Sequence, residues 1–410
     1  MPKRSSKSSA HRYSALLAAL LLLAGCASKP AKVAWEPWSS FMHDDSRSNA
    51  SADKVVLPLA LAWGKDISPV SVLKDYSGLQ LSSPVISEGR LYTGSENELF
   101  YTFDLKTGKV IWKFDAEYVL EAPPAVSGDY LCFGSSDGVM RCFDKSAGKV
   151  LWSFQAKSEI LSAPVIKDGR VLFSSSDDKL YALSLSTGEK LWSYGRSTYQ
   201  TVAPRVRSST AVSGSTLFHF FSDGYLAAIS ADTGKELWSR KVVKSFDANL
   251  PARRTPLVSD GLVYMIDDTN AVVALNAENG EVKGVYNIIK TYDFVVPDKK
   301  TLVMAGTDRV VAINRVTGAI LWKRDLVYSP VSTVFAAGGH LFVISNYTAV
   351  PLGIKFLAKD KGFITALRLE NGSVDWTRKL PSTVTSNASS AENHVAVLTD
   401  SGLIEVFEGK

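Results

Sequence analysis

A twelve-residue pattern recurs along this 410-residue chain and constrains its fold more than any other feature. Residues 101–112, YTFDLKTGKVIW, show it clearly: a Thr-Gly turn follows a β-rich stretch, and a tryptophan stands four residues after the glycine. Seven copies occur, spaced about forty residues apart. A fixed period of this kind indicates one array of repeated units rather than two unrelated domains.

Each copy contributes a turn glycine, and six of the seven also contribute a tryptophan. The glycines are Gly108, Gly148, Gly188, Gly234, Gly280, Gly318 and Gly372, and the tryptophans are Trp112, Trp152, Trp192, Trp238, Trp322 and Trp376. Gly284 stands where the seventh tryptophan would be. Glycine adopts a positive φ without steric cost, and tryptophan buries a large apolar area. We therefore predict that both residues are structural and that the tryptophans wedge between neighbouring units.

Each repeat contains four short β-rich stretches separated by Gly- and Asp-containing turns, which is typical of a four-stranded antiparallel sheet. The last repeat, residues 394–407, ends before any Thr-Gly turn, and the missing tryptophan-bearing strand is found near the start, ending at Trp63. Joining the first strand to the last sheet leaves no free edge at the seam. The sequence thus predicts an all-β, eight-bladed propeller over residues 56–410, closed by its N-terminal strand.

The first 25 residues have the pattern of an export signal, with a basic start and an apolar run too short to span a bilayer. The run ends in Leu23-Ala24-Gly25-Cys26, which resembles the bacterial lipobox. In that pattern the signal is cleaved immediately before the cysteine, which is then acylated. An ordinary signal peptide with an unrelated cysteine is the alternative. We predict lipidation at Cys26 and a flexible tether over residues 26–55. Because Ala27 is not Asp, the pattern resembles that of outer-membrane lipoproteins.

The charge balance argues against nucleic acid as a partner. Four basic residues of the signal account for most of the formal charge of +5, so the mature chain is nearly neutral, whereas nucleic-acid affinity depends on many phosphate contacts. Residues 41–49, FMHDDSRSN, lack a second histidine at ligand spacing, so we predict no metal and no cofactor. Cys132 and Cys142 flank a turn, and the sequence leaves open whether they form a disulfide or are two small apolar strand residues.

Three connections are longer than the repeat requires. Residues 194–209 and 240–255 join consecutive repeats and are rich in arginine and lysine, which indicates either solvated loop charge or a surface for an acidic partner. The third, Ser345 to Phe363, contains several apolar residues, which suggest either a flap folded onto the ring or a contact site.

The repeat A-L-x-x-x-T-G-x-x-x-W resembles the PQQ-like β-propeller repeat, and a lipobox followed by eight such units is similar to the BamB family of outer-membrane β-barrel assembly lipoproteins. The resemblance implies that two neighbouring inter-blade connections bind the periplasmic domains of a BamA-type barrel protein. The matching stretches here contain Val202 and Arg205 in the first connection and Arg253 and Arg254 in the second, and we add Arg207 of the first basic connection as a candidate partner-binding residue. Arg205 keeps the family's charge, whereas Arg253 and Arg254 stand where the family carries acidic residues.

We therefore predict a non-enzymatic scaffold, lipid-anchored in the outer membrane and facing the periplasm, that acts as a monomer within a complex with a BamA-type partner. Two alternatives remain. One is another periplasmic binding scaffold, for a surface complex or a polysaccharide. The other is a PQQ-dependent dehydrogenase, which would need calcium ligands and, in many members of that class, a vicinal cysteine pair that the sequence does not contain.

Overall fold

A computed structural model describes residues 37–68, 80–196, 208–244, 254–349 and 359–410 of the chain. Within these ranges the regular structure is β-strand without α-helix, and the strands form eight sheets. The described residues therefore contain no helix of the length and apolarity needed to cross a membrane.

The sheets are the eight blades of the predicted propeller, and each has four antiparallel strands, A to D, in spatial order. Blade 1 comprises Val85–Ser87, Arg90–Gly94, Leu99–Asp104 and Val110–Asp115; blade 2, Ala125–Ser127, Tyr130–Gly134, Val139–Asp144 and Lys149–Gln155; blade 3, Val165–Lys167, Arg170–Ser175, Lys179–Ser184 and Lys190–Gly195; blade 4, Ala211–Ser213, Thr216–Phe220, Tyr225–Ser230 and Glu236–Lys241. Blade 5 comprises Leu257–Ser259, Leu262–Ile266, Val272–Asn276 and Val282–Tyr286; blade 6, Asp293–Val295, Thr301–Ala305, Arg309–Asn314 and Ile320–Asp325; blade 7, Val331–Ala337, His340–Ala349, Lys359–Arg368 and Val374–Leu380; blade 8, Ser389–Ala391, His394–Leu398, Leu403–Gly409 and Leu59–Asp66.

The eighth blade closes the ring as the sequence predicts. Its D strand, Leu59–Asp66, comes from the beginning of the chain and pairs antiparallel with Leu403–Gly409 from the end, with Trp63 opposite Val406. Pairing the two ends of the chain leaves neither strand as a free edge at the seam. The prediction of an eight-bladed propeller closed by its N-terminal strand is confirmed.

The alternating strand directions define two ends of the ring. The A–B and C–D turns lie at one end, which we call the glycine-turn face because it carries the repeat glycines. The B–C turns and the D–A connections between blades lie at the other end, which we call the loop face. The A strands of several adjacent blades contact each other, so they line the central axis.

The glycine and tryptophan of the repeat meet across the gap between blades. A Cβ atom placed on Gly148 of blade 2 would lie 2.5 Å from the indole of Trp112 in blade 1, so only glycine allows the ring to cover the turn. The indole nitrogen then donates a hydrogen bond to the carbonyl of Lys145, three residues before that glycine. Five further tryptophans make the equivalent bond at 2.7–3.0 Å: Trp63, Trp152, Trp192, Trp238 and Trp322. The tryptophans lie between blades, as predicted.

The apolar core is likewise shared between neighbouring blades. Phe100 of blade 1 stacks on Phe133 of blade 2 with ring centroids 4.2 Å apart, and Phe133 stacks in turn on Phe143 at 5.1 Å. All three rings are fully buried. Because each sheet buries its faces against the next blade, no blade has a core of its own.

The prediction of a flexible tether over residues 26–55 is wrong for residues 37–55, which we call the inner segment. The compact propeller unit includes this whole segment, which bonds to the A strands around the ring. Backbone N–H groups of Ile86, Val126, Val212, Val258 and Ala336 donate to carbonyls of Trp38, Ser39, Asp45, Ser46 and Asn49, respectively. Ala50–Ser51 adds a short parallel strand to blade 7. A strands at the axis have one unpaired edge, so a chain that satisfies their N–H groups is held in place rather than free.

Arg47 is the most deeply buried charge of the inner segment, with no exposed surface. Its guanidinium donates to the carbonyls of Phe41 at 2.7 Å and Thr210 at 2.8 Å, and to those of Ala163 and Pro164 at 3.2 Å each. Burial lowers the pKa of Arg47 to about 10, so the side chain stays charged at neutral pH. One side chain therefore ties the inner segment to blades 3 and 4.

Cys132 and Cys142 are joined by a disulfide in blade 2. They stand directly opposite each other in the pairing of Tyr130–Gly134 with Val139–Asp144, and both are fully buried. The register that the sequence left open thus places both side chains on the same face of the sheet.

We expect the Cys132→Ala/Cys142→Ala variant to lose about 2–3 kcal/mol of unfolding free energy, because the bond restricts the unfolded chain over a short loop. Denaturant unfolding of the oxidised protein and the variant measures the difference. Wild-type protein unfolded in the presence of a reductant serves as control and should match the variant. A variant as stable as the oxidised protein would show that the bond contributes nothing to stability.

Candidate partner-binding face

The loop face carries the two basic connections that the sequence singles out. Of the residues predicted to bind a partner, Val202, Arg205, Arg207 and Arg253 lie outside the described residues, as does the predicted lipidation site Cys26. The described flanks of the two connections, residues 194–196, 208–209, 240–244 and 254–255, show what surrounds them.

The charge of Arg196, at the start of the first connection, is neutralised by two carboxylates of blade 4. Its Nε lies 2.7 Å from a carboxylate oxygen of Asp223, and its Nη1 lies 3.2 Å from Glu236. The guanidinium also lies over the ring of Tyr225, 4.4 Å from the centroid. A cation with two carboxylate partners and an aromatic ring beneath it contributes to the order of the connection rather than to a free positive patch.

The second connection begins with exposed cations. Arg240, Lys241 and Lys244 are all exposed, and the backbone N–H of Lys244 donates to the carboxylate of Asp268 at 3.0 Å. This bond to the B–C turn of blade 5 fixes where the connection leaves the ring. The described part of this connection therefore presents positive charge to solvent.

The prediction that Arg254 binds a partner required an exposed side chain, and the structure shows a buried one. Its side chain is buried, its Nη1 donates to the carbonyl of Ile266 at 2.8 Å, and its guanidinium lies 5.9 Å from the ring of Phe220. Burial lowers the pKa of Arg254, with Asp267 and Asp268 opposing the shift. The Thr255-Pro256 sequence that follows leads directly into the A strand of blade 5, which draws Arg254 inward.

Several acidic residues of the B–C turns are engaged in local bonds. Asp137, for example, pairs with Arg141 at 2.8 Å and accepts the backbone N–H of Val139 at 3.0 Å. Glu96 differs, because burial raises its pKa and Glu121 and Asp400 repel its charge. Among the described residues, no three His, Cys, Asp or Glu side chains are grouped so that they could hold a metal ion.

The Ser345–Phe363 insertion is a β-hairpin over its described part. Strands B and C of blade 7 extend beyond the usual length, with Tyr347 opposite Lys361 and Ala349 opposite Lys359. At the base of this hairpin Phe363 stacks on Tyr328 with centroids 3.5 Å apart, and Tyr347 lies edge-on to Tyr328 at 6.0 Å. Residues 350–358, which include the predicted apolar contact residues, lie outside the described residues.

His219 is a titratable group buried in strand B of blade 4. Among the described residues its Nδ1 has no hydrogen-bond partner, and its ring packs edge-on against Phe221 with centroids 4.7 Å apart. Burial lowers its pKa to about 3. In the folded protein His219 is therefore neutral at any pH near neutrality.

This shift makes stability depend on pH in a definite direction. Below pH 6.5 the unfolded chain takes up a proton at His219 that the folded chain refuses until about pH 3, so stability falls as pH is lowered through this window. We expect a loss of about 2 kcal/mol between pH 7 and pH 5 from this group. His219→Leu should remove that part of the slope in urea unfolding measured across the range. Parallel curves for the two proteins would contradict the assignment.

Two structural residues escaped the sequence reasoning. Arg47 stood in a polar stretch without a period, and its role depends on blades 3 and 4, which lie more than a hundred residues away. Tyr286 donates from its hydroxyl to the carbonyl of Arg315 at 2.5 Å, the bond that a tryptophan makes elsewhere. An aromatic residue two positions after Gly284 was the available signal for the second.

Eight four-stranded blades, locked together by Thr-Gly turns and inter-blade tryptophans, define a β-propeller of the PQQ-like repeat class. The sequence matches the family described as outer membrane protein assembly factor BamB over residues 56–141, 95–287 and 287–408, which together span the propeller. The chain belongs to this family. No curated relative matches it.

Solved structures support the fold assignment. BamB from Moraxella catarrhalis superposes with a TM-score of 0.65 at 18% identity, covering 86% of this chain and 100% of that one. A quinohemoprotein alcohol dehydrogenase from Pseudomonas putida HK5 gives 0.69 at 13% identity over 91% of this chain and 80% of that one. The corresponding enzyme from Comamonas testosteroni gives 0.68 at 13% identity, with 92% and 81% coverage. At these identities the likeness shows the fold alone, since one propeller fold hosts several functions.

Proposed function

We propose that this protein is a non-enzymatic scaffold that helps to assemble and insert outer-membrane β-barrel proteins by binding a BamA-type partner at its loop face. The family match across the whole propeller is the observation that carries the proposal. The exposed cations Arg240, Lys241 and Lys244 beside the second connection supply a surface suited to an acidic partner.

The proposal includes a location. Residues 1–25 would direct export and be removed, and acyl chains on Cys26 would hold the protein in the outer membrane, facing the periplasm. Lipid anchoring requires more than one acyl chain for stable attachment, which modification of a lipobox cysteine provides. Metabolic labelling with a radioactive fatty acid should mark the wild-type chain and leave a Cys26→Ala variant unlabelled.

A PQQ-dependent dehydrogenase is the competing candidate, because enzymes of that class share the fold. The described residues do not fit the cofactor, because they offer no cluster of metal ligands, and the cysteines of the sequence include no vicinal pair. The inner segment moreover occupies the A-strand edges at the axis. Stoichiometric binding of PQQ and calcium, followed by absorption spectroscopy, would contradict the scaffold proposal.

Arg205→Glu combined with Arg253→Glu tests the partner surface. Replacing one arginine of each connection by glutamate should reduce recovery of the BamA-type protein after mild cross-linking in cells by about tenfold, because each new carboxylate would repel an acidic partner. Lys109→Glu combined with Lys149→Glu is the matched control: it makes the same change in charge at two exposed sites of the glycine-turn face and should leave recovery unchanged.

Three outcomes of this experiment are informative. Loss of recovery in the double variant with unchanged melting temperature supports the loop face. Equal recovery from wild type and double variant would show that Arg205 and Arg253 do not contribute to binding the partner. Failure to recover any BamA-type protein from wild-type cells would overturn the partner assignment and leave the fold as it stands.

A further inference from the structure

The interface between blades 5 and 6 lacks an element that other blade interfaces have. Gly284 of blade 5 replaces the tryptophan, and apart from the adjacent residues in the chain no described residue has an atom within 4 Å of the position that a Cβ on Gly318 of blade 6 would take. The structure describes all seven repeat-turn glycines, and at the other six an indole atom lies 2.5–2.7 Å from that position. The backbone of the Gly318 turn is therefore uncovered.

Tyr286 replaces the missing hydrogen bond without replacing the missing ring. Its hydroxyl donates to the carbonyl of Arg315, three residues before Gly318, which corresponds to the carbonyl that an indole reaches in other blades. The phenol ring lies back over its own strand, with its oxygen 3.1 Å from where a Cβ on Gly284 would be. The polar requirement of the interface is thus met while the apolar surface of the turn stays open.

The same turn departs from the repeat at a second position. Val316, two residues before Gly318, is 79% exposed. The corresponding residues of the other repeats are polar or charged: Lys106, Ser146, Ser186, Asp232, Glu278 and Glu370. Asp232 reaches Arg170 of the preceding blade at 2.9 Å, so this position faces the neighbouring blade. An exposed apolar residue has therefore replaced a polar one beside the bare turn.

Together, Val282, Gly284, Val316 and Gly318 form what we call the blade 5–6 notch. Val282, on the blade 5 side, is 40% exposed. The exposure of Val282 is ordinary for its position, because Val110 and Val150 are 42% and 37% exposed in strands that keep their tryptophan. The notch is set apart by an exposed Val316 beside a turn that elsewhere carries an indole. The notch lies on the glycine-turn face, at the opposite end of the ring from the proposed BamA-type site.

We propose that the blade 5–6 notch binds an aromatic side chain of a protein partner. The six complete interfaces show that a flat indole packs against this turn when one is present, and exposed Val316 within the turn adds apolar surface to hold it. Since Tyr286 already donates to Arg315, the ring needs no donor of its own, and tryptophan or phenylalanine would serve. Aromatic anchors in small apolar recesses are characteristic of protein interfaces.

Titration of the full mature chain with N-acetyl-L-tryptophanamide, followed by methyl NMR of labelled valines, tests the site. We expect saturable shifts of the Val282 and Val316 methyl signals. Val110 and Val150 occupy the position of Val282 in strands that keep their tryptophan and should not shift. Absence of shifts at Val316, or equal shifts at Val110, would overturn the proposal.

A repaired interface provides the matched variant. Gly284→Trp with Tyr286→Arg recreates the pattern of the neighbouring blades, Trp238 with Arg240 and Trp322 with Arg324, and should weaken binding of the probe by at least about tenfold. Val316→Lys copies the blade 1 turn and should weaken it about fivefold through lost apolar contact. If the double variant does not fold, binding of the probe to the Val316→Lys variant tests the proposal. Unchanged binding in the folded variants would refute the notch as the site, whatever the outcome at the loop face.

Discussion

Replacing Arg47 by Ala should lower the free energy of unfolding by about 3–5 kcal/mol, a large part of the stability of a typical protein. The substitution leaves four buried carbonyls without their charged donor, and a hydrogen bond to a charged group contributes about 1.5–3 kcal/mol net of the exchange with water. Water that enters the space left by the side chain would replace part of this loss. Urea unfolding, followed by tryptophan fluorescence, measures the change. Arg47→Lys should recover part of it, because a lysine carries three donors but lacks the planar geometry of a guanidinium.

Arg309→Ala is the matched control for this experiment. Arg309 pairs with Asp325 on the surface, and both side chains are substantially exposed, so the same substitution should cost less than about 1 kcal/mol. Arg47→Ala should also expose residues 41–49 to limited proteolysis, since its bonds fix the inner segment to blades 3 and 4. If the two variants proved equally stable, the inner segment would not be an integral part of the propeller.

Most of the fold could be predicted because the information for it is local and repeated. A Thr-Gly turn, a tryptophan four residues later and alternating strands specify a blade within about forty residues, and seven copies remove the ambiguity of any single one. Closure of the ring followed from counting strands at the two ends of the chain. The pairing of Leu59–Asp66 with Leu403–Gly409 needed no knowledge beyond that count.

The inner segment could not be predicted in the same way, because its bonds depend on partners far apart in sequence. Asn49, for instance, bonds through its side chain to the carbonyl of Val334 and through its own carbonyl to Ala336. Nothing in residues 37–55 repeats, and polar residues without a period are typical of linkers. The same limit applies to Arg254, whose burial follows from how the second connection meets blade 5 rather than from its charge.

Gly148→Ala should destabilise the propeller by about 3–4 kcal/mol, although it adds a single methyl group. Two costs combine. Gly148 has φ of +66°, a conformation that costs a residue with a side chain about 1–2 kcal/mol. The new methyl would also lie 2.5 Å from the Trp112 indole, which is packed between blades 1 and 2, and overpacking of this kind costs about 1–3 kcal/mol.

Gly318→Ala separates these two costs within the same protein. Its φ of +74° imposes the same backbone penalty, but in the part of the chain that the structure describes only its own chain neighbours come within 4 Å of the new methyl, so the expected loss is only about 1–2 kcal/mol. The difference between the two variants in denaturant unfolding therefore measures the contact between indole and turn. Equal losses would mean that the repeat glycines are required for their backbone conformation alone, and the tryptophan contact would then have no part in selecting them.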